Sequence, residues 1–166
     1  MIVRRLNKGD LSTRVEWMNS PQVYGSMHYD IPVCLEKTMT WYENNLNNDA
    51  RADLVFEENG NLLAMGGLTS IEREVNKAEM YIFVNPNSQR SGIGTEATKL
   101  LCRYGFEHLG LNKIYLETNE DNYAARRVYE KCGFLLEGVH RAEYINKDGI
   151  YLSRIYMGLL KSDFHD

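Results

Sequence analysis

The chain has 166 residues, enough for one domain with one core and too few for a comfortable second. Apolar residues make up 43% and charged residues 25%, and no uninterrupted apolar run approaches the roughly 18 residues of a membrane helix, so a globular, non-membrane protein is expected. The net charge of -4, with basic residues scattered rather than clustered, argues against a nucleic-acid partner and leaves cationic amines acceptable.

The opening Met-Ile-Val-Arg-Arg-Leu lacks the apolar centre of a signal peptide and reads as a short strand over Ile2 to Leu6. Asp10 to Met18 reads as a helix that Ser20-Pro21 ends. After the loop Gly25 to Val33, the spacing of Leu35, Met39, Tyr42 and Leu46 predicts a second amphipathic helix. Three strand-like runs follow at Ala52 to Glu57, Leu62 to Ile71 and Ala78 to Val84, with Asn59-Gly60 as a hairpin turn between the first two.

Gly92 to Leu109 carries a helical stripe of Ile93, Ala97, Leu100, Leu101 and Tyr104, and Gly110 stands where a C-cap glycine belongs. Lys113 to Thr118 is a strand, and Asn122 to Lys131 a helix expected to bury Ala125, Val128 and Cys132. A final hairpin pairs Phe134 to Tyr144 with Ile150 to Leu160. The order describes an α/β domain of the α+β type, with about seven strands in a twisted, mostly antiparallel mixed sheet and about four helices. No repeat or linker interrupts it, so residues 1–166 are read as one domain. Cys34, Cys102 and Cys132 are odd in number and sit in apolar segments, which predicts buried free thiols and a reducing cytoplasm, without a disulfide framework or metal site.

The segment Asn85 to Thr95 leaves a strand and opens a long helix, with Gly92 and Gly94 at its end. Glycines there let backbone N–H groups close on an anion, the helix N-terminus adds partial positive charge, and Arg90 offers a charged contact. The loop is built to hold phosphate. Gly92-Ile93-Gly94-Thr95-Glu96-Ala97 also fits the dinucleotide fingerprint, with Glu117 as its acidic residue. Against that reading, Asn85 to Ser91 separate the strand from the glycines, and too little chain follows Glu117 for a second nucleotide-binding half. No P-loop motif is present.

Gln89-x-x-Gly92-x-Gly94 resembles the pyrophosphate loop of the GCN5-related N-acetyltransferase (GNAT) superfamily. Downstream, Asn122-x-x-Ala125-x-x-x-Tyr129-Glu130-Lys131-x-Gly133-Phe134 resembles its next helix and the turn after it. The ending, Glu137-Gly138 through Lys147-Asp148-Gly149 to Met157-Gly158-Leu159-Leu160, is similar to the branch holding ribosomal-protein, spermidine and aminosugar acetyltransferases.

The resemblance implies a single GNAT-like domain that moves an acetyl group from acetyl-CoA, as co-substrate without a metal, to a primary amine by direct attack. It implies cofactor contacts from Ile82, Phe83 and Val84 on a splayed strand, from Gln89, Arg90, Ser91, Gly92, Ile93, Gly94 and Thr95 in the loop, and from Asn119, Asn122 and Tyr129. Tyr129 corresponds to the superfamily's proton donor near the thioester sulfur. Glu117 corresponds to the base of the ribosomal-protein enzymes, with Glu79 on the neighbouring strand as its competitor and a water chain as the third route. His28 has a pKa suited to base work. Together with Tyr29, Asp30, Trp17 and Trp41, it is a candidate for the acceptor pocket.

The acceptor classes left open are aminosugars, polyamines, aminoglycosides and protein N-termini, and the resemblance allows a homodimer. Ser91 stands where many relatives carry a basic residue or Gly. The loop Gly25 to Val33 holds one acidic residue, Asp30, which weighs against spermidine. A non-catalytic acyl-CoA sensor on the same fold is the alternative from a different class.

Overall fold

The computed structural model describes residues 1–88, 91–146 and 148–165. Seven strands form a single sheet: β1 Ile2–Arg5, β2 Ala52–Glu58, β3 Asn61–Glu72, β4 Lys77–Val84, β5 Lys113–Asn119, β6 Leu135–Ile145 and β7 Tyr151–Leu160. Their spatial order is β1-β2-β3-β4-β5-β7-β6. Every neighbouring pair is antiparallel except β4 with β5. That one parallel pair forces a helical crossover between its strands, supplied by α4 Ile93–Arg103, which widens into a π-type turn at Tyr104–His108. A doubly wound dinucleotide fold is thereby excluded.

The β2–β3 turn follows from its two residues. Asn59 and Gly60 have φ of 52° and 78°, the paired left-handed geometry that suits a tight hairpin and that Asn-Gly adopts readily. Alternation along the central strands then divides the side chains between two layers. Leu54, Phe56, Ala64 and Leu68 join Ile93, Ala97, Leu101, Phe106 and Phe134 on the face that α4 covers. Val55, Met65 and Phe83 join Leu6, Leu11, Trp17 and Val23 on the opposite face. The covering helices there are α1 Leu11–Met18, α2 Pro21–Tyr24 and α3 Leu35–Asn45.

The last helix, α5 Tyr123–Lys131, is capped by Asn122, whose Oδ1 accepts from the Ala125 N–H at 3.2 Å.

Several expectations need correction. There are five α-helices among the described residues, because Ser20-Pro21 starts a fresh turn instead of a loop; Pro is favoured at a first helical position. The α3 stripe is only partly buried: Leu35 and Leu46 are exposed, while Thr38 is buried and Met39, Trp41 and Tyr42 pack on the core. Ala125 and Val128 of α5 are half-buried, because both border a cleft, with Val128 also near Gly94 of α4. All three cysteines are free, and Cys102 and Cys132 are buried, but Cys34 is exposed at the N-cap of α3.

Candidate active site

The parallel ladder between β4 and β5 is short. It pairs Lys77 with Lys113, Ala78 with Ile114 and Glu79 with Tyr115, and goes no further. From Met80 and Leu116 onward the strands part, which leaves backbone donors and acceptors of β4 facing the gap. Such groups require partners, and a ligand with amides along its length suits them.

Two cavities open on the gap. The first, about 430 Å³, is walled by Ile82, Val84, Gly94, Asn122, Ala125 and Val128, with Tyr129 at its inner end. The second, about 300 Å³, holds Met27, His28, Tyr29, Glu79, Glu117 and Arg154. Ser26, Ile82, Asn122, Ala125 and Tyr129 line both. A ligand from each side therefore meets at Tyr129.

The start of α4 shapes the outer end of the first cavity. Gly92 is the N-cap with φ of 85°, a left-handed geometry that glycine adopts without cost. The first intrahelical bond is Glu96 N–H to Gly92 carbonyl at 3.0 Å, so the N–H groups before Glu96 have no partner within the helix. A Cβ on Gly94 would stand 3.7 Å from Val128 and 3.8 Å from Val84, inside the mouth of the cleft. N–H groups without a helical partner, the helix dipole and a narrow glycine wall together suit an anion. Gln89 and Arg90, also expected here, lie outside the described residues.

The Tyr129 ring packs against the α4-side core, tilted 59° to Phe134 at 5.9 Å, while its edge borders both cavities. Burial, with a smaller contribution from Cys132, pushes its pKa up to about 12. The phenol therefore stays protonated at any physiological pH, as a proton or hydrogen-bond donor must. The residue is both core tyrosine and cleft residue.

The carboxylates of the second cavity differ in circumstance. Glu117 Oε2 is held by Arg154 Nη1 at 3.0 Å. Glu79 has no ion pair among the described residues. Burial raises its pKa, as does the charge of Glu117, against a lowering effect from Arg154. A raised carboxyl pKa marks an ionised form that gains by accepting a proton. His28 Nε2 lies 2.7 Å from Asn119 Oδ1 and the ring stands edge-on to Tyr144 at 4.9 Å. Because an amide oxygen only accepts, Nε2 is the donor in this contact. The Tyr29 hydroxyl donates to the Met18 carbonyl at 2.7 Å.

The structure thus brings together Ile82, Val84, Gly94, Asn122, Tyr129, Glu79, Glu117, His28 and Tyr29. It does not bring in all the expected residues. Phe83 lines the first cavity while its ring packs in the opposite core against Trp17, and Trp17 itself is only 3% exposed and lines neither cavity. Ile93 is core. The Asn119 side chain holds His28 and does not line the first cavity. Asp30 is exposed and lines neither cavity, and Trp41 lines a separate one. Ser91 is exposed, and Thr95 is half-buried, its carbonyl accepting the Cys132 thiol at 3.6 Å. Arg154 was not foreseen. It reaches the site because β7 pairs with β5 in a register that sets Arg154 against Asn119, a pairing that leaves no local sequence signal.

A model of the acetyltransferase (GNAT) domain family matches residues 1–135. The chain belongs to the GNAT family. Relatives of this GNAT chain include the spermidine N(1)-acetyltransferase of Escherichia coli strain K12, 30% identical over 123 residues. That match covers 74% of this chain and 66% of the relative, just under two thirds of its length. The spermidine N(1)-acetyltransferase of Vibrio cholerae is 28% identical over 99% of this chain and 95% of its own length. A crystal structure of the spermidine N-acetyltransferase from Vibrio cholerae in complex with CoA and spermine superposes with a TM-score of 0.91 at 27% identity. It covers 98% of this chain and 96% of that one.

Among the described residues of this GNAT chain, no helix is long and apolar enough to cross a membrane.

Proposed function

We propose that residues 1–166 act as one acetyltransferase domain that moves the acetyl group of acetyl-CoA to a primary amine, with a polyamine as acceptor. The observation that carries this reading is the junction at Tyr129, where a cleft suited to pantetheine meets a carboxylate-lined cavity. Support for the acceptor comes from Glu79 and Glu117, which outnumber Arg154 there and suit a cationic amine. The relatives named for spermidine point the same way. The scarcity of acidic residues in Gly25 to Val33 is offset by these strand carboxylates.

Acetyl-CoA supplies an acyl group activated as a thioester, whose transfer to a neutral amine releases a thiolate. The N–H groups at the start of α4 hold the pyrophosphate, and the parted edge of β4 orients the pantetheine amides. Glu79 takes the proton that the attacking amine must lose, directly or through water. Glu117, tied to Arg154, positions the amine and keeps the Glu79 carboxyl basic. This reassigns the base from Glu117, whose carboxylate is already engaged by Arg154 at 3.0 Å, to Glu79, which has no ion pair among the described residues. Tyr129 donates its O–H toward the departing sulfur. We place the protein in the cytoplasm and allow a homodimer on the resemblance stated above.

Incubation with acetyl-CoA and spermidine, read by mass spectrometry, tests the proposal: a product heavier by one acetyl group is expected. CoA binding without product for any of a panel of amines would favour the acyl-CoA sensor instead.

A further inference from the structure

A third cavity, about 360 Å³, lies between α1, α3 and β4, away from the Tyr129 junction. Its charged lining is Arg14, Lys37 and Arg51, with no acidic residue. Arg51 is neutralised by Asp53 through two contacts of 2.8 Å, Nε to Oδ2 and Nη2 to Oδ1. Asp53 Oδ1 also accepts from the Tyr81 hydroxyl at 2.6 Å, so that carboxylate is fully engaged.

Arg14 is different. It is 7% exposed, and its guanidinium makes no hydrogen bond or ion pair among the described residues. Nη1 is wholly buried without a partner. The guanidinium carbon stands 5.0 Å from the Trp41 ring, 5.4 Å from Tyr81 and 5.3 Å from Phe83. Aromatic faces attract the positive charge but do not satisfy planar N–H donors. A buried guanidinium lacking an oxyanion is costly unless something else supplies one. Arg14 lines the cavity together with Met18, Met27 and Val33, which suit a hydrocarbon body better than a hydrated inorganic ion.

We propose that this cavity is a binding site for an organic carboxylate, with the carboxylate on Arg14, its hydrocarbon part on the methionines and Val33, and exposed Lys37 at the rim. The site goes beyond acetyl transfer and does not depend on it. Tyr29, Met27 and Tyr81 line both this cavity and the acceptor cavity. The carboxylate belongs to a small molecule other than the polyamine acceptor, and the shared wall makes an acceptor that itself carries a carboxylate the outcome to test against.

Hexanoate is the probe, titrated into the full chain by calorimetry and thermal shift against sodium chloride of equal ionic strength. Saturable binding with a rise in Tm is expected. Arg14→Met should weaken it by about tenfold or more, and Lys37→Gln by about threefold. Without ligand, Arg14→Met should change Tm little, because the three ring contacts it loses are offset by removal of a buried, unpartnered guanidinium nitrogen. Should that variant fail to fold, the wild-type and Lys37→Gln titrations still decide.

No saturable hexanoate binding, undiminished binding to Arg14→Met, or inorganic phosphate binding equally well would each overturn the proposal. Comparing 6-aminohexanoate with hexylamine as acceptors distinguishes the sources. A preference for the former that vanishes in Arg14→Met assigns the carboxylate to the acceptor, and hexanoate binding without that preference assigns it to a separate ligand. If no amine is acetylated, acetyl transfer fails while the hexanoate titration stands.

Discussion

Arg154 Nη1 lies 3.0 Å from Glu117 Oε2, so the two carboxylates of the acceptor cavity are inequivalent. One is tied to a cation, and the other, Glu79, carries a raised pKa from burial and from its neighbour's charge. Glu79→Gln should lower kcat by roughly 10²-fold, and Glu117→Gln by about tenfold or less. Rate should rise with pH as Glu79 ionises, above the ordinary glutamate range. Glu117→Gln removes a neighbouring negative charge, so that limb should move to lower pH. Pre-steady-state and pH–rate measurements on both variants check this, and an unmoved limb would shift the base role away from Glu79.

The same shift bears on stability. A carboxyl whose folded pKa exceeds its unfolded value destabilises the fold once both states are ionised, and the penalty disappears at pH below both values. Glu79→Gln should therefore raise Tm at pH 7 by about 1–2 °C, with a smaller gain at pH 4. Calorimetric melts at the two pH values would show whether the cavity carries this cost. Equal changes at both would mean that it does not.

Asp10 behaves oppositely. Burial pushes its pKa up, but hydrogen bonds from Arg4 and the Asn7 N–H, with the Arg4 charge, bring it below 3.8. Arg4 grips it through Nη1 to Oδ2 at 2.7 Å and Nη2 to Oδ1 at 2.8 Å. The stabilisation is present above the unfolded value and lost as pH falls through the folded one. Asp10→Asn should cost about 1–3 kcal/mol at neutral pH, discounted because Arg4 is partly solvated and keeps Glu57. In urea titrations the difference from wild type should shrink below pH 3.8.

The two loop glycines make separable predictions. Gly92→Val forces a branched residue to φ of 85° and should cost about 1–2 kcal/mol while weakening CoA binding. In Gly94→Val the new Cβ meets Val84 and Val128 at ordinary contact distance, so Tm should hold. Its methyls narrow the cleft mouth, and CoA affinity should fall by about tenfold. Calorimetric titration of CoA reads both, and undiminished affinity in Gly94→Val would put the pyrophosphate elsewhere.

Features governed by local backbone chemistry were legible in the sequence. Asn59-Gly60 demanded left-handed φ, the glycine loop marked the start of α4, and strand-like runs bounded by turn residues located the strands. Tyr129 could be placed because its motif fixes a helix position relative to Asn122. What failed depended on distant partners. Arg154 reaches Glu117 only through β5–β7 register, and Asn119 faces His28 across the fold. The α3 stripe misled because Leu35 and Leu46 sit at helix ends, beyond the core on which Met39 and Tyr42 pack. Trp17 stayed open between pocket and core, because helical spacing alone does not tell the two apart.

The most direct measurement is steady-state CoA release by Tyr129→Phe beside its calorimetric acetyl-CoA affinity. The ring remains to fill its place against Phe134, so stability and acetyl-CoA affinity should change little. Loss of the O–H, protonated in the wild type until about pH 12, should lower kcat by roughly 10²–10⁴-fold. Full turnover in Tyr129→Phe would contradict the account, leaving the tyrosine as core packing and protonation of the thiolate to solvent.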